Sequence, residues 1–221
     1  MKPRLIIVGN ALLKKDLSKF IDSSDFVIRC NDCISFGGNT GTKTDVLCIR
    51  NNGAPALKFI KNKSVNKLPR FPNLSEVWFP RFVLPEFDYK DQIISSNGLH
   101  GLRYRSFSKE LNEKVCENIR IESKREIVVP STGFLLINYI LEEPEFNCYD
   151  KFIAGFSFEM SFEHSSNIEK NIVIRLCNDR SDLHFVPVSR FWKVERIFKK
   201  FRVIKNYLIR LFKKKLSIFY K

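Results

Sequence analysis

Leu5-Ile6-Ile7-Val8-Gly9-Asn10 begins with four apolar residues and stops on a glycine and an asparagine. A short continuous apolar run closed by a turn signal reads as a strand buried on both faces, the kind found inside a parallel sheet. Helical spacing follows at Leu12, Leu13, Leu17, Phe20 and Ile21, then a second strand at Phe26-Val27-Ile28-Arg29 and a third over Asp45–Ile49. This alternation predicts an α/β fold: a single Rossmann-like domain with a mostly parallel sheet and helices on both faces. In such sheets ligands bind beyond the C-terminal strand ends.

Further along, Phe36–Thr42 is a glycine-rich loop, Ala54–Ile60 a short helix and Glu76–Phe79 a strand. Pro80 to Ser106 is irregular and reads as surface loops or a lid. Ser108–Ile119 and Thr132–Leu141 have helical period, while Glu126–Val129, Lys151–Gly155 and Asn171–Leu176 read as strands. There is no internal repeat.

The formal charge of +14 over 221 residues is unevenly placed. Ser189 to Lys221 holds 12 Lys and Arg against one Glu, a balance of +11, which leaves +3 for residues 1–188. The expected organisation is therefore a domain over residues 1–188 and a basic tail over residues 189–221. In that tail Phe191, Trp192, Val194, Ile197, Phe198, Phe201, Ile204, Leu208, Leu211 and Phe212 recur at three- and four-residue steps between basic residues. This is the pattern of a basic amphipathic helix that lies on an anionic membrane surface, unless its first half packs on the core. A nucleic-acid arm is disfavoured, because the tail is rich in Leu, Ile and Phe and the body has no basic excess.

The six cysteines, at 30, 33, 48, 116, 148 and 177, lack a disulfide spacing and mostly sit in apolar runs, as reduced core residues do. Cys30-x-x-Cys33 has no second pair to complete a zinc site. The start, Met-Lys-Pro-Arg before Leu5–Val8, offers no secretion signal or membrane span, so a cytoplasmic location is expected, peripheral on the inner face of the membrane.

Gly9-Asn10 stands where a glycine admits a ligand close to the backbone and a helix start offers free N–H groups to phosphate; it also suits a plain turn. Gly-x-Gly-x-x-Gly is absent, which disfavours a dinucleotide site. Asn31 either pairs with a base or ribose edge or forms a turn. Ser131 or Thr132 caps the following helix, and with Gly133 either serves that purpose alone or offers a second helix start to the crevice. Three histidines are present, His100, His164 and His184. An acceptor hydroxyl is deprotonated most readily near neutral pH by a histidine. His184 follows a polar loop at the expected crevice edge, and the alternative for it is a surface side chain.

In order along the chain, Ile7-Val8-Gly9-Asn10, Ile21-Asp22, Asp25 through Arg29-Cys30-Asn31, and Gly41-Thr42-Lys43-Thr44-Asp45 resemble the large sialyl motif of glycosyltransferase family 29, the sialyltransferases. Pro130-Ser131-Thr132-Gly133, with Tyr149 and Ala154-Gly155-Phe156, is similar to the small sialyl motif. The Gly-Asn and Arg-Cys-Asn pieces also resemble the bacterial family 42. The likeness covers residues 4–50 and 127–160. It implies metal-independent, inverting transfer of sialic acid, or another acid sugar, from a CMP-sugar co-substrate with no cofactor. The acceptor implied is a terminal sugar on a lipooligosaccharide or capsular glycan. Gly9 and Asn10 would lie at the donor phosphate, Asn31 at the cytidine nucleotide, and Arg29, Ser131, Thr132, Gly133 and Gly155 also around the donor. No Asp-x-Asp metal signature is present.

Two departures accompany the likeness. The family's late motif sets a histidine, four residues intervening, before a glutamate at a helix start; Arg190 holds that spacing before Glu195. The base is therefore assigned to His184, with His164 in reserve. The cysteines that pair between the two motifs in Golgi enzymes are not matched. The rival reading is a non-catalytic, membrane-associated nucleotide-binding protein.

Overall fold

Leu5 and Ile7 face one side of a sheet, and Ile6 and Val8 face the other, all four at most 1% exposed. Burial on both sides explains the unbroken apolar run, each such side chain contributing about 1.5–3 kcal/mol. A computed structural model describes residues 2–13, 15–62, 71–158 and 166–186. Within it Met1–Val188 is one unit. The basic tail, with Arg190 and Glu195, lies outside the described residues, as does His164.

The strands are β1 (Arg4–Val8), β2 (Phe26–Cys30), β3 (Val46–Cys48), β4 (Glu76–Phe79), β5 (Arg103–Ser106), β6 (Asp150–Ala154) and β7 (Leu183–Val186). They form one sheet in the order β5-β4-β3-β2-β1-β6-β7. Every neighbouring pair is parallel. The helices are α1 (Ser18–Asp22), α2 (Gly53–Asn62), α3 (Lys90–Ser96), α4 (Lys109–Ser123), α5 (Thr132–Glu142) and α6 (Ser166–Asp179). α4, α5 and α6 pack on the face lined by Leu5, Ile7, Ile28, Cys48, Trp78 and Ile153. α1, α2 and α3 cover the opposite face. Among the described residues no helix is long and apolar enough to cross a membrane.

Four expectations need correction. The helix expected over Leu12–Ile21 is confined to Ser18–Asp22. The amide of Ala11 is taken by the Gly155 carbonyl at 2.8 Å and that of Leu17 by Asn39 at 2.9 Å, so neither enters a helix. Glu126–Val129 is not a strand: it links α4 to α5, with Ile127 85% exposed. Asn171–Leu176 lies inside α6, where Ile168, Ile172, Val173, Leu176 and Cys177 pack on the core at helical spacing. The β-branched run had imitated a strand. Finally, the stretch from Pro80 to Ser106 holds α3 and β5. β5 is a mostly exposed edge strand of Arg103-Tyr104-Arg105-Ser106, whose Arg103 pairs with Glu76 at 2.7 Å, so it carries no apolar signal.

Lys151, wholly buried in β6, donates to the Tyr149 carbonyl at 3.0 Å and to Asp182 at 2.7 Å. Asp182 immediately precedes β7, so this pair fixes the edge strand. Hydrogen bonds from Arg180, and then Lys151, hold the Asp182 carboxyl well below the usual range.

Candidate active site

The chain adds strands outward from β1 to β5 and then returns to place β6 on the other side of β1. The chain runs from β1 to α1 on one face and from β6 to α6 on the other, a switch point of the kind at which ligands usually bind in such sheets. Gly9 donates to the Ala154 carbonyl at 2.8 Å, so the backbones remain in contact past the strand ends. Gly155 has φ +72°, and a Cβ there would stand 2.9 Å from the Gly9 carbonyl oxygen. A Cβ on Gly9 would collide with the Gly155 carbonyl and reach the Phe156 ring at 3.0 Å. A Cβ on Gly133 would strike the same ring from its other edge. Phe156 thus lies between the β1 turn and the start of α5, and both glycines make room for it.

Ser131 caps α5: it is extended, with φ −71° and ψ 156°, and its hydroxyl accepts from the Phe134 amide at 3.1 Å. The same hydroxyl donates to Glu169 Oε2 at 2.7 Å, and the Ser131 amide donates to Oε1 at 2.8 Å. Glu169, only 1% exposed, sits in the first turn of α6. Thr132 and Gly133 follow in the first turn of α5, where a helix presents unpaired amides and a positive dipole end to an anion.

Three asparagines stitch the C-terminal loops together. Asn10, after β1, donates to the Cys30 carbonyl at 3.2 Å and accepts from the Ile34 amide at 2.8 Å. Asn31, after β2 at φ +52°, accepts from the Arg50 amide at 3.0 Å. Asn51, after β3 and 1% exposed, accepts from the Arg81 amide at 3.1 Å and donates to the Arg81 carbonyl at 3.1 Å. Each loop thereby positions the next, from the crevice to the end of β4.

Beyond that point a cleft of about 880 Å³ opens between the β4 loop and α4, lined by Arg81, Asn112, Cys116, Glu117, Val129 and Pro130 among others. Arg81 reaches across to donate to the Pro130 carbonyl, one residue before the cap of α5.

The structure thus brings together Gly9, Asn10, Gly155, Ser131, Thr132 and Gly133, with Asn31 one loop further along. It does not bring Arg29 to them. That guanidinium is 1% exposed and donates to the carbonyls of Thr40 (2.6 Å), Gly41 (3.0 Å) and Lys43 (3.0 Å) and to the Thr44 hydroxyl (3.0 Å), bracing the loop before β3. Nor does it bring His184. That residue pairs in register with Phe152, itself opposite Ile6, three residues before Gly9 and so roughly 10 Å below that glycine. Its ring stacks on Phe152 with centroids 4.6 Å apart, on the α1 side of the sheet, whereas α5 and α6 cover the other.

Glu169, Asn51 and Arg81 escaped notice in the sequence, and Phe156 stood out there only as part of a motif, without its place between the two glycines. The signals were present: His164 and Glu169 have the same four intervening residues as the family's late motif, and Asn51 follows β3 much as Asn31 follows β2. Among the described residues no group of three or more His, Cys, Asp or Glu is placed to hold a metal.

A family model described as glycosyltransferase family 29 (sialyltransferase) matches residues 4–169, three quarters of the chain, and ends on Glu169. A curated protein from Rhizobium meliloti, the urease operon 23 kDa accessory protein, is 26% identical over 170 residues, covering 69% of this chain and 78% of its own. The Campylobacter jejuni sialyltransferase CstII, in complex with the substrate analogue CMP-3FNeuAc, shares the fold with a TM-score of 0.53 at 13% identity over 84% of this chain and 80% of its own. The monofunctional alpha-2,3-sialyltransferase Cst-I of the same organism gives 0.51 at 14% identity, over 83% of this chain and 76% of its own.

Proposed function

Because the chain belongs to glycosyltransferase family 29, the sialyltransferases, we propose that it transfers sialic acid, or a related acid sugar, from a CMP donor to a terminal sugar. The observation that carries this reading is the placement of Phe156 between Gly9 and Gly133, which sets the β1 turn and the start of α5 on one crevice. Solved CstII structures are described as complexes with CMP and with a trisaccharide acceptor. The proposed acceptor here is a lipooligosaccharide or capsular glycan.

In the proposed reaction the acceptor hydroxyl attacks the anomeric carbon from the side opposite the nucleotide. The carbon–oxygen bond to phosphate breaks, CMP departs and the configuration inverts. The amides of Thr132 and Gly133, at the positive end of α5, stabilise the charge that develops on the phosphate without a metal. Glu169 holds Ser131, and so the helix start, in place. His164 takes the acceptor proton: its spacing from Glu169 follows the family's late motif, and His184 lies below the crevice.

The test is to incubate the protein with CMP-sialic acid and lactose-terminated acceptors and follow CMP release. Acceptor-dependent release that vanishes in His164→Asn and survives in His184→Asn supports the reading. The reverse pattern returns the base to His184. CMP binding without release at any acceptor leaves the non-catalytic alternative.

The proposed location is the cytoplasmic side of the membrane, with residues 189–221 on anionic lipid. The support is their +11 balance and apolar periodicity. The chain should co-sediment with vesicles containing phosphatidylglycerol, less so when Lys213, Lys214 and Lys215 are changed to Gln. Equal sedimentation with neutral vesicles counts against it.

A further inference from the structure

Among the described residues three cations are deeply buried, and in two of them every side-chain nitrogen has an acceptor. Arg29 is enclosed by carbonyls and hydroxyls, and Lys151 has Asp182 at 2.7 Å. Arg81 differs. It is 8% exposed, one nitrogen of its guanidinium donates to the Pro130 carbonyl, and its Nε meets no acceptor. Burial pushes its pKa down to about 10, the nearby charge of Arg50 adds to this, and that of Glu169, whose oxygens are both engaged by Ser131, offsets only part of it. A buried guanidinium whose Nε meets no acceptor is unfavourable by itself, and a bound anion that reaches it offsets that cost.

Its surroundings say which anion. Asn51 clamps the Arg81 amide and carbonyl, so the side chain has a fixed origin. The guanidinium borders the 880 Å³ cleft and touches the residue just before Ser131. It therefore stands one residue from the helix start that the proposed function gives to the donor phosphate. In a CMP-linked sialic acid the carboxylate and the phosphoester share one carbon, so the two anions need adjacent receptors. A planar fork matches a carboxylate through two parallel hydrogen bonds.

We propose that Arg81 receives the carboxylate of an acid sugar bound in this cleft. The proposal rests on the sialyltransferase reading for the sugar's identity. The carboxylate belongs either to the donor or to an acidic acceptor.

The full chain and its Arg81→Gln and Arg81→Lys variants are titrated calorimetrically with CMP, CMP-3-fluoro-N-acetylneuraminate, lactose and 3′-sialyllactose. A donor carboxylate predicts that Arg81→Gln binds CMP within about twofold of the original and the CMP-sugar about 30-fold more weakly, with Arg81→Lys between, because it keeps the charge and loses the fork. An acceptor carboxylate predicts the same loss for 3′-sialyllactose alone. Unchanged sugar affinities, or an equal loss for CMP, overturn the proposal. If Gln at this position does not fold, Arg81→Lys alone decides, by weakening the acid sugar and not CMP. An original protein that ignores CMP and still binds 3′-sialyllactose through Arg81 sinks the functional reading and keeps this one. A protein that binds neither sinks both.

Discussion

Glu169 grips Ser131 with both carboxylate oxygens, one on the amide at 2.8 Å and one on the hydroxyl at 2.7 Å, across 38 residues of sequence. The hydroxyl also caps α5, so a single serine is held from both sides. Replacing Glu169 by Gln removes a charge-assisted pair and should cost about 1.5–3 kcal/mol of stability. Ser131→Ala should cost about 1–2 kcal/mol through the lost cap. The two losses should fall short of additive in a double-mutant cycle read by urea denaturation. Additive losses would mean the contact is absent in solution.

The shared phenyl ring gives a sharper test. Gly133→Ala drives a methyl into Phe156 and should cost about 1–3 kcal/mol, with CMP affinity falling in parallel. Adding Phe156→Leu should recover most of it. Gly9→Ala meets the Gly155 carbonyl as well, so the same second change should not rescue it. Thermal melts of the four variants decide the matter, and equal rescue of both glycines contradicts the geometry.

Asn51 is buried with both ends of its amide in use. Asn51→Ala strands the amide and carbonyl of Arg81 and should cost about 1–3 kcal/mol. Asn10 is less buried and should cost about half as much when changed to Ala. Because Arg81 depends on Asn51, the first change should also weaken acid-sugar binding, whereas the second should weaken CMP.

The Lys151–Asp182 pair sets the acid limit of the edge strand. Asp182→Asn leaves a buried ammonium without its counter-ion and should cost about 3–5 kcal/mol. The Asp182 carboxyl is held below its unfolded value, so its contribution is fully present above about pH 4 and disappears as the pH falls through the lower, folded value. The gap between denaturation midpoints of the original protein and Asp182→Asn should therefore narrow as the pH is taken from about 7 to about 2. Curves that stay parallel would exclude the pair as the cause.

The sheet and half of the crevice were legible because their signals are local. The apolar run Leu5–Val8, the turn at Gly9-Asn10 and the cap at Ser131 each need only neighbouring residues to be recognised. What escaped depends on parity or on distance. Arg29 was placed at the donor by the family resemblance alone, yet alternation turns it to the α1 face and into the loop at Thr40–Thr44. His184 follows a polar loop, but register sets it beside Phe152 and below the strand ends. Glu169 was hidden by the β-branched run that follows it, which disguised α6 as a strand and concealed the helix start that the late motif requires.

The strand order also dictates when the site can exist during synthesis. β1 through β5 assemble outward from neighbours in sequence, a low-entropy-cost sequence of closures. β6 must instead travel back across the molecule to pair Arg4 with Asp150, the longest closure in the sheet. A nascent chain halted before residue 150 therefore lacks one wall of the crevice, so nucleotide retention by ribosome-bound chains of increasing length should begin only after that strand emerges.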